Sequence, residues 1–341
     1  MNDLTLDFHG WTMRLRGDPA TLEDLHRDFA AFECPGTQTH QEELELIAET
    51  APAGLETGLP LWSGRRYSIR ICGRERRVFY RPKIDAPYDA VAAIDFSSHQ
   101  GRIWCADPVR LRELGYLAVL SRAGEELDAM GLHRAHALGF EWKGSAGLIF
   151  APSSGGKSEL ALALLRDTTA GLLSDETPLL DSKATARAFA LRLGFRASAD
   201  LSDVPERWIR HLIRRDYESK RVVDYDFFRD RVRDALPVRW VFVANKDAGI
   251  PRFYPASLLS TAAALGTSLV VGHGVAQMAE YRLRPTALAP LTLSALGRAA
   301  AACALLRRAS LWNFTLGSDP RRAAAALVKF LDGSEPAQGR P

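Results

Sequence analysis

The sequence predicts a mixed fold, α/β in its larger part and α+β overall, with a smaller α+β domain at the amino end. Short apolar runs typical of buried strands alternate with helical segments over the last two thirds of the chain. The first third instead contains strand pairs separated by turn residues. This pattern changes near Leu132, so we expect one domain at 1–131, a second at 132–332 and a polar tail at 333–341.

In the amino-terminal part, turn residues separate the predicted strands into pairs. The expected pairs are 4–8 with 12–15, 67–72 with 77–81, and 90–96 with 102–105. Two amphipathic helices are expected, one opened by Asp18-Pro19 and ending near Phe32, the other running from Pro108 to about Met130. No motif here indicates chemistry, and recognition of a substrate is the natural role for this part.

The second part alternates strands and helices. Strands are expected at 136–142, 147–150, 171–173, 237–244 and 310–316. Helices are expected at 157–165, 256–264, 275–280, 293–307 and 320–331. Neither an internal repeat nor a low-complexity tract interrupts this order, and the alternation favours one α/β or α+β core over the last two thirds of the chain.

Composition narrows the function classes. The 341 residues are 47% hydrophobic and 25% charged, which is ordinary for a soluble globular protein. A net charge of only +3 argues against a nucleic-acid coat or a polybasic membrane anchor. The four cysteines are far apart, which indicates free thiols in a reducing compartment.

Targeting signals are not evident. Acidic residues stand at the amino end where a signal peptide would be basic and then apolar. The longest uncharged stretch, 258–279, is interrupted by polar residues, so we expect a buried helix and not a membrane span. The sequence therefore predicts a cytoplasmic protein without a nucleic-acid or membrane partner.

The strongest motif is Ala-Pro-Ser-Ser-Gly-Gly-Lys-Ser at 151–158. It matches the Walker A pattern G-x-x-x-x-G-K-[ST] except that Ala151 replaces the first glycine. Gly155 and Gly156 let backbone N–H groups approach a phosphate, at the positive end of the following helix. Lys157 can then reach the β- and γ-phosphates and Ser158 can bind Mg²⁺. The alternative is an ordinary Gly-Gly turn with a surface lysine.

A second signal is the pair Asp175 and Glu176 at the end of the apolar strand 171–173. A helix and one turn separate this strand from the one before the Walker-like loop, so we expect the two strands to be neighbours. Carboxylates there can hold Mg²⁺ or accept a proton from an attacking hydroxyl. The alternative is a polar strand end or a helix cap.

These two segments together resemble the catalytic core of HPr kinase-related proteins. In that family a GKS loop is followed closely by a strand that ends in paired acids, and a histidine lies one strand earlier, where this chain has His136. The family loop is usually G-x-S-G-x-G-K-S; Ala151 and Ser154 depart from it, whereas Gly156, Lys157 and Ser158 match. The resemblance covers about 132–250 and implies an HPr kinase/PEP carboxykinase-like core.

The resemblance implies ATP- and Mg²⁺-dependent phosphoryl transfer to a serine hydroxyl. Lys157 would hold the phosphates, Asp175 would be the base, and His136 would orient Asp175 or a phosphate. Mg²⁺ would be held by Ser158, Asp175 and Glu176. The nucleotide would be contacted by Ser153, Ser154, Gly155, Gly156, Lys157, Ser158 and Glu159.

Phosphoryl transfer also needs positive charge, and a basic stretch occurs at 207–233. Acidic residues are interspersed, so a solvated helical face is one interpretation. The other is that Lys220 and Arg221, in a short link between two helical segments, contact the nucleotide. Related kinases carry a basic residue in such a link.

Three hypotheses about the function remain open. The first is a serine in a protein or a ribosomally made peptide, because some members of the family resemble peptide-modifying enzymes such as those for lasso peptide precursors. The second is a small hydroxylated metabolite. The third is a nucleotide-binding regulatory module without transfer, which the departures at Ala151 and Ser154 favour. Related kinases form rings, so a homo-oligomer is also compatible.

Overall fold

The computed structural model describes residues 3–34, 40–84, 86–153, 155–215, 218–282 and 288–334. Helix and strand each account for 33% of the described residues, which excludes an all-α or all-β fold there and confirms the mixed class. The predicted polar tail at 333–341 lies mostly outside the described residues.

The elements are numbered in chain order. The strands are β1 (Asp3–Phe8), β2 (Trp11–Gly17), β3 (Glu42–Ile47), β4 (Leu59–Ser63), β5 (Tyr67–Cys72), β6 (Glu75–Tyr80), β7 (Ala90–Asp95), β8 (Gln100–Cys105), β9 (His133–Arg134), β10 (Leu138–Trp142), β11 (Ser145–Phe150), β12 (Gly171–Ser174), β13 (Leu179–Leu180), β14 (Thr185–Arg187), β15 (Leu193–Arg196), β16 (Ile209–Leu212), β17 (Lys220–Val223), β18 (Leu236–Asn245), β19 (Arg252–Pro255) and β20 (Ser310–Thr315). The α-helices are α1 (Pro19–Asp28), α2 (Pro108–Ala129), α3 (Lys157–Asp167), α4 (Leu258–Leu265), α5 (Ala279–Arg282), α6 (Leu288–Arg308) and α7 (Pro320–Gly333).

The chain forms two compact units, and neither is continuous in sequence. The first unit comprises Met1–Ala123, Arg196–Val223 and Ala276–Arg284. The second comprises Gly124–Phe195, Asp224–Val275 and Pro285–Pro341. The sequence predicts one boundary, at 131/132, whereas two later segments of the chain belong to the first unit.

The first unit contains an eight-stranded sheet with the order β1-β2-β3-β8-β7-β6-β5-β4. The hairpins predicted from turn residues are confirmed, because β1 pairs antiparallel with β2, β5 with β6, and β7 with β8. The helix predicted after Asp18 is α1, and the Asp18 carboxylate accepts a hydrogen bond from the Thr21 N–H at 2.8 Å. Phe8 and Phe29 are fully buried and meet edge to face, which packs α1 on this sheet.

The second unit contains the sheet path β12-β10-β11-β18-β14-β13-β9. Strand β18 is long enough to pair with β14 at its start and, in parallel, with β20 further on. Strand β11 is parallel to β18, and β10 is antiparallel to both β11 and β12. The carboxyl ends of β11, β12, β18 and β20 therefore lie at one edge of the sheet.

The expectation that β11 and β12 are neighbours is wrong, because β10 lies between them. The tight turn Lys143-Gly144, with both residues in the left-handed region, joins β10 to β11 as a hairpin. The hairpin partner therefore occupies the place beside β11 that the later strand was expected to take.

Two helix predictions are also corrected. The charge-rich segment expected to be helical contains β16 and β17, which pair antiparallel, and three short 3₁₀ turns at Glu206–Trp208, Tyr225–Phe227 and Arg229–Arg231. Each of these two strands contains β-branched residues, Ile209 in β16 and Val222 and Val223 in β17, and such residues are enriched in strands. The helix expected at 275–280 begins only at Ala279, after a turn that contains two left-handed glycines.

One helix in the described part of the chain, Ala289–Arg308, is long and apolar enough to cross a membrane by length and composition, and 28% of its apolar window is buried. Its carboxyl half contributes Ala301 and Leu305 to the core of the second unit. The uncharged stretch expected to be a buried helix forms α4 and a π-helical turn at Gly266–Val270; Leu265 and Leu269 are buried, whereas Leu259 is 82% exposed.

Candidate phosphate-binding site

A glycine loop at 151–156 joins the buried strand β11 to helix α3. The Gly155 N–H donates to the Pro152 carbonyl at 3.0 Å, and a Cβ at Gly155 would lie 2.8 Å from that oxygen. Gly156 precedes the helix with φ of 90°, a conformation that glycine adopts without strain. Ser153 is exposed, and Ser154 lies outside the described residues. The loop thus needs both glycines to turn the chain into α3.

Lys157, the first residue of α3, is buried with 7% of its surface exposed. Its Nζ donates to the Ala151 carbonyl at 2.8 Å, to the Pro152 carbonyl at 3.2 Å and to Nε2 of His136 at 3.1 Å. Burial lowers the pKa of Lys157, and the carboxylates of Glu176 and Asp175 oppose that shift. The ammonium is therefore held over the glycine loop by three acceptors.

His136 lies just before β10, at the sheet edge where β11 ends. Its backbone N–H donates to the Ser268 carbonyl at 3.0 Å. Burial, and then the neighbouring Lys157 charge, lowers the pKa of His136 to about 4, so the imidazole is neutral near pH 7 and Nε2 can accept. With Nε2 as acceptor the ring proton is on Nδ1, a buried atom for which no partner occurs among the described residues.

Ser158 and Asp175 are brought together although their strands are not neighbours. The Ser158 hydroxyl donates to Oδ2 of Asp175 at 3.0 Å, and Asp175 is 6% exposed. The turn after β12 is formed by Ser174, whose hydroxyl accepts the Thr177 N–H at 2.9 Å. That turn directs Asp175 toward the first turn of α3, where Ser158 lies.

Two further acids, Glu159 and Glu176, lie near the loop. Glu159 lies in the first turn of α3, where a carboxylate interacts favourably with the helix dipole. Glu176 is exposed, and its negative charge acts on both Lys157 and His136. Its backbone carbonyl accepts the N–H of Ala137 at 3.1 Å, which ties the acidic turn to the segment before β10.

The residues present fit Mg²⁺ only together with a ligand. Within the described residues, no group of three or more His, Cys, Asp and Glu side chains is arranged to hold a metal ion. Mg²⁺ is commonly bound by one or two protein oxygens plus waters and substrate phosphates. Ser158 and Asp175 supply such a pair of oxygens beside the glycine loop.

Lys220 and Arg221 do not belong to this unit. Both lie on strand β17 of the first unit, and not in a link between helices as the sequence suggested. A nitrogen of Arg221 donates to the Ala199 carbonyl at 3.1 Å, so this guanidinium makes a contact within the first unit.

Three further residues lie near the loop and were not predicted from the sequence. Ser174 precedes the paired acids and forms their turn. Lys246 follows the buried strand β18 and lines a small recess with Gly155 and Gly156. Gly274, the last residue of a Gly-His-Gly sequence, packs directly against the His136 ring. Of the three, only Lys246 could have been recognised from the sequence, because it is a basic residue at the carboxyl end of a buried strand.

The arrangement can bind an anion. Helix α3 presents its first N–H groups and its positive dipole end beside the buried ammonium of Lys157, with the Ser158–Asp175 pair next to it.

No protein-family model matches the chain, and a search of curated proteins finds no significant match.

Proposed function

We propose that the protein is an ATP- and Mg²⁺-dependent serine kinase whose acceptor is a protein or a ribosomally made peptide. The observation that carries this proposal is the Ser158–Asp175 hydrogen bond beside a loop whose lysine is buried. A glycine loop alone needs only an anion as ligand. A hydroxyl paired with a buried carboxylate next to it adds what metal binding and proton transfer require.

In this proposal the glycine loop and the first turn of α3 receive the phosphates, and Lys157 neutralises the β- and γ-phosphates. Ser158, Asp175 and Glu176 would hold Mg²⁺, which when bound neutralises charge on the phosphates. The acceptor hydroxyl attacks the γ-phosphorus, its proton passes to Asp175, and the bond between the γ-phosphorus and the ADP oxygen breaks. This core would be the HPr kinase-like P-loop core that the sequence resembles.

His136 takes a different part from the one that the resemblance implies. The sequence assigns it to orienting Asp175 or a phosphate, whereas its Nε2 faces the Lys157 ammonium at 3.1 Å. A phosphate oxygen that binds Lys157 replaces one of its three acceptors, because an ammonium has three donors and all three are used. Nucleotide binding is therefore an exchange of Lys157 partners.

The first test is ATP binding by calorimetry with and without Mg²⁺. We expect Lys157→Ala to weaken ATP binding about 10- to 150-fold, because a charge-assisted hydrogen bond contributes about 1.5–3 kcal/mol. Lys183→Ala, in the exposed turn after β13, is the matched control and should bind ATP as the wild type does. Equal affinities of all three proteins would refute the phosphate-site assignment.

The second test is phosphate transfer from γ-labelled ATP. Label in serine-containing peptides, lost in Asp175→Asn, supports the peptide kinase. Label only in a metabolite extract indicates a small-molecule kinase, which would use the same carboxylate. ATP binding without any transfer, unchanged by Asp175→Asn, indicates a regulatory module. Cytoplasmic localisation and a homo-oligomer belong to this proposal, and sedimentation of the purified protein tests the second.

A further inference from the structure

The segment that follows the π-helical turn Gly266–Val270 forms a short loop at 272–275 over His136. The N–H of His273 donates to the Thr267 carbonyl at 2.9 Å, and the N–H of Val275 donates to the Gly272 carbonyl at 3.1 Å. These bonds close the loop on itself and on the π turn. Single π turns occur frequently at functional sites, because they displace one residue from the helical path.

Gly274 touches the imidazole of His136 with its backbone. A Cβ at this position would lie 2.6 Å from Cδ2 and 2.7 Å from Cγ of the ring, with Nε2 at 3.0 Å. Gly274 also has φ of +88°, where a side chain is strained. The same ring is fixed elsewhere, because the His136 N–H donates to Ser268 of the π turn and Nε2 accepts from Lys157.

We propose that the 272–275 loop is a positioning element of the candidate phosphate site, in which Gly274 fixes the His136 imidazole so that Nε2 accepts from Lys157. Gly274 itself contacts neither phosphate nor acceptor. A side chain at this position pushes the ring off its place and removes one of the three acceptors that orient the ammonium. The consequence for nucleotide binding rests on the proposed function, whereas the contact between loop and ring does not.

The decisive measurement is the imidazole nitrogen spectrum of ¹⁵N-histidine-labelled protein without nucleotide at pH 7. The His136 signals are assigned by their loss in His136→Gln, and in the wild type we expect Nδ1 to be protonated and Nε2 not. We expect Gly274→Ala to shift the His136 signals. Gly144→Ala is the matched control, because Gly144 has φ of +78° and no heavy atom within 4 Å of its Cβ. Equal spectra of the two variants would overturn the proposal.

A double-mutant cycle tests the route through His136. In the His136→Ser background the added methyl group has room, so Gly274→Ala should leave ATP binding unchanged there and cost only the backbone strain that Gly144→Ala also carries. With His136 present it should weaken ATP binding about 2- to 10-fold and lower the midpoint of thermal unfolding below that of Gly144→Ala.

If Gly274→Ala folds poorly, recovery of the midpoint in the double variant supports the contact, and an unchanged midpoint overturns it. Equal effects of Gly274→Ala in both backgrounds would also overturn it. A wild-type protein that does not bind ATP would refute the proposed function, while the histidine spectra still decide the role of the loop.

Discussion

A buried ion cluster in the second unit predicts a large loss of stability when its one carboxylate is removed. Asp128, in the last turn of α2, accepts from Nη2 of Arg298 at 2.6 Å and from Nε of Arg298 at 3.1 Å. It also accepts from Nδ1 of His133 at 2.9 Å. All three side chains are no more than 3% exposed, so water does not screen the charges.

The expected cost follows from what Asp128→Ala leaves behind. The Arg298 guanidinium keeps the Leu269 carbonyl at 3.3 Å but loses the carboxylate that balances its charge. Breaking a buried pair in this way costs about 3–5 kcal/mol, because the remaining ion stays desolvated. For a unit of this size, about 2–4 °C is lost per kcal/mol, so the unfolding midpoint should fall by about 6–20 °C.

Circular dichroism melts and urea titrations of the full chain measure this loss. Asp226→Ala is the control, because Asp226 pairs with Arg229 at 3.3 Å on the surface, where both side chains are well exposed and such pairs contribute about 0–1 kcal/mol. The double variant Asp128→Leu/Arg298→Met should recover most of the stability, since removing both charges leaves no buried ion unpaired. A loss below about 1 kcal/mol in Asp128→Ala, or no recovery in the double variant, would refute the reasoning.

The same cluster predicts an acid dependence. Burial alone raises the pKa of the Asp128 carboxyl, but the hydrogen bonds from His133 and Arg298 outweigh burial and hold that pKa well below its usual range. A carboxyl with a lower pKa in the folded than in the unfolded state stabilises fully above the unfolded value, about 3.9. The stability difference between wild type and Asp128→Ala should therefore be constant above about pH 5 and shrink as the pH falls below about 4.

Two further predictions concern the candidate site and the first unit. Ser158→Ala should keep the ATP affinity measured without Mg²⁺ and lose the gain that Mg²⁺ brings, because the hydroxyl paired with Asp175 is gone; an undiminished Mg²⁺ effect in calorimetry would contradict the metal assignment. Arg122→Met should cost about 3–5 kcal/mol, because it strands the buried Glu42 carboxylate that Arg122 holds with two bonds at 2.7 and 2.8 Å. The exposed Arg102→Met should cost almost nothing, and similar unfolding curves for the two would contradict the burial argument.

Local sequence signals correctly predicted the helices and hairpins whose stabilising contacts lie within a few residues of each other. The Asp18-Pro19 cap, the glycine hairpins and the strand before the Gly-Gly pair each act through neighbours within a few residues. The strand β3 was missed, because its pattern Glu-Glu-Leu-Glu-Leu-Ile buries Glu42, which pairs with Arg122 of α2. The sequence alone does not distinguish a glutamate that is buried beside a distant arginine from one that is exposed to solvent.

Local sequence signals could not predict the order of the strands in the second sheet. Counting residues between β11 and β12 suggested neighbours, but the hairpin turn at Lys143-Gly144 places β10 between them. Asp175 nevertheless reaches the first turn of α3, because β11 and β12 point the same way and the Ser174 turn directs Asp175 back toward α3. The sequence thus predicted correctly that Asp175 lies near the start of α3. The reason given for it, that β11 and β12 are adjacent strands, was wrong.

The same distinction between local sequence signals and contacts between remote parts of the chain applies to the candidate site. The glycine loop and the acids are visible as motifs because backbone conformation and ligand chemistry demand those residue types at those positions. The contact of Gly274 with His136 has no such signature, since a glycine is demanded there only by a ring that comes from a remote part of the chain. A motif search finds the groups that would touch a phosphate, whereas the residues that orient Lys157 emerge only when the fold brings 136, 157 and 274 together. Variants at Gly274 therefore test whether the orientation of that lysine, and not only its presence, controls the binding of a nucleotide.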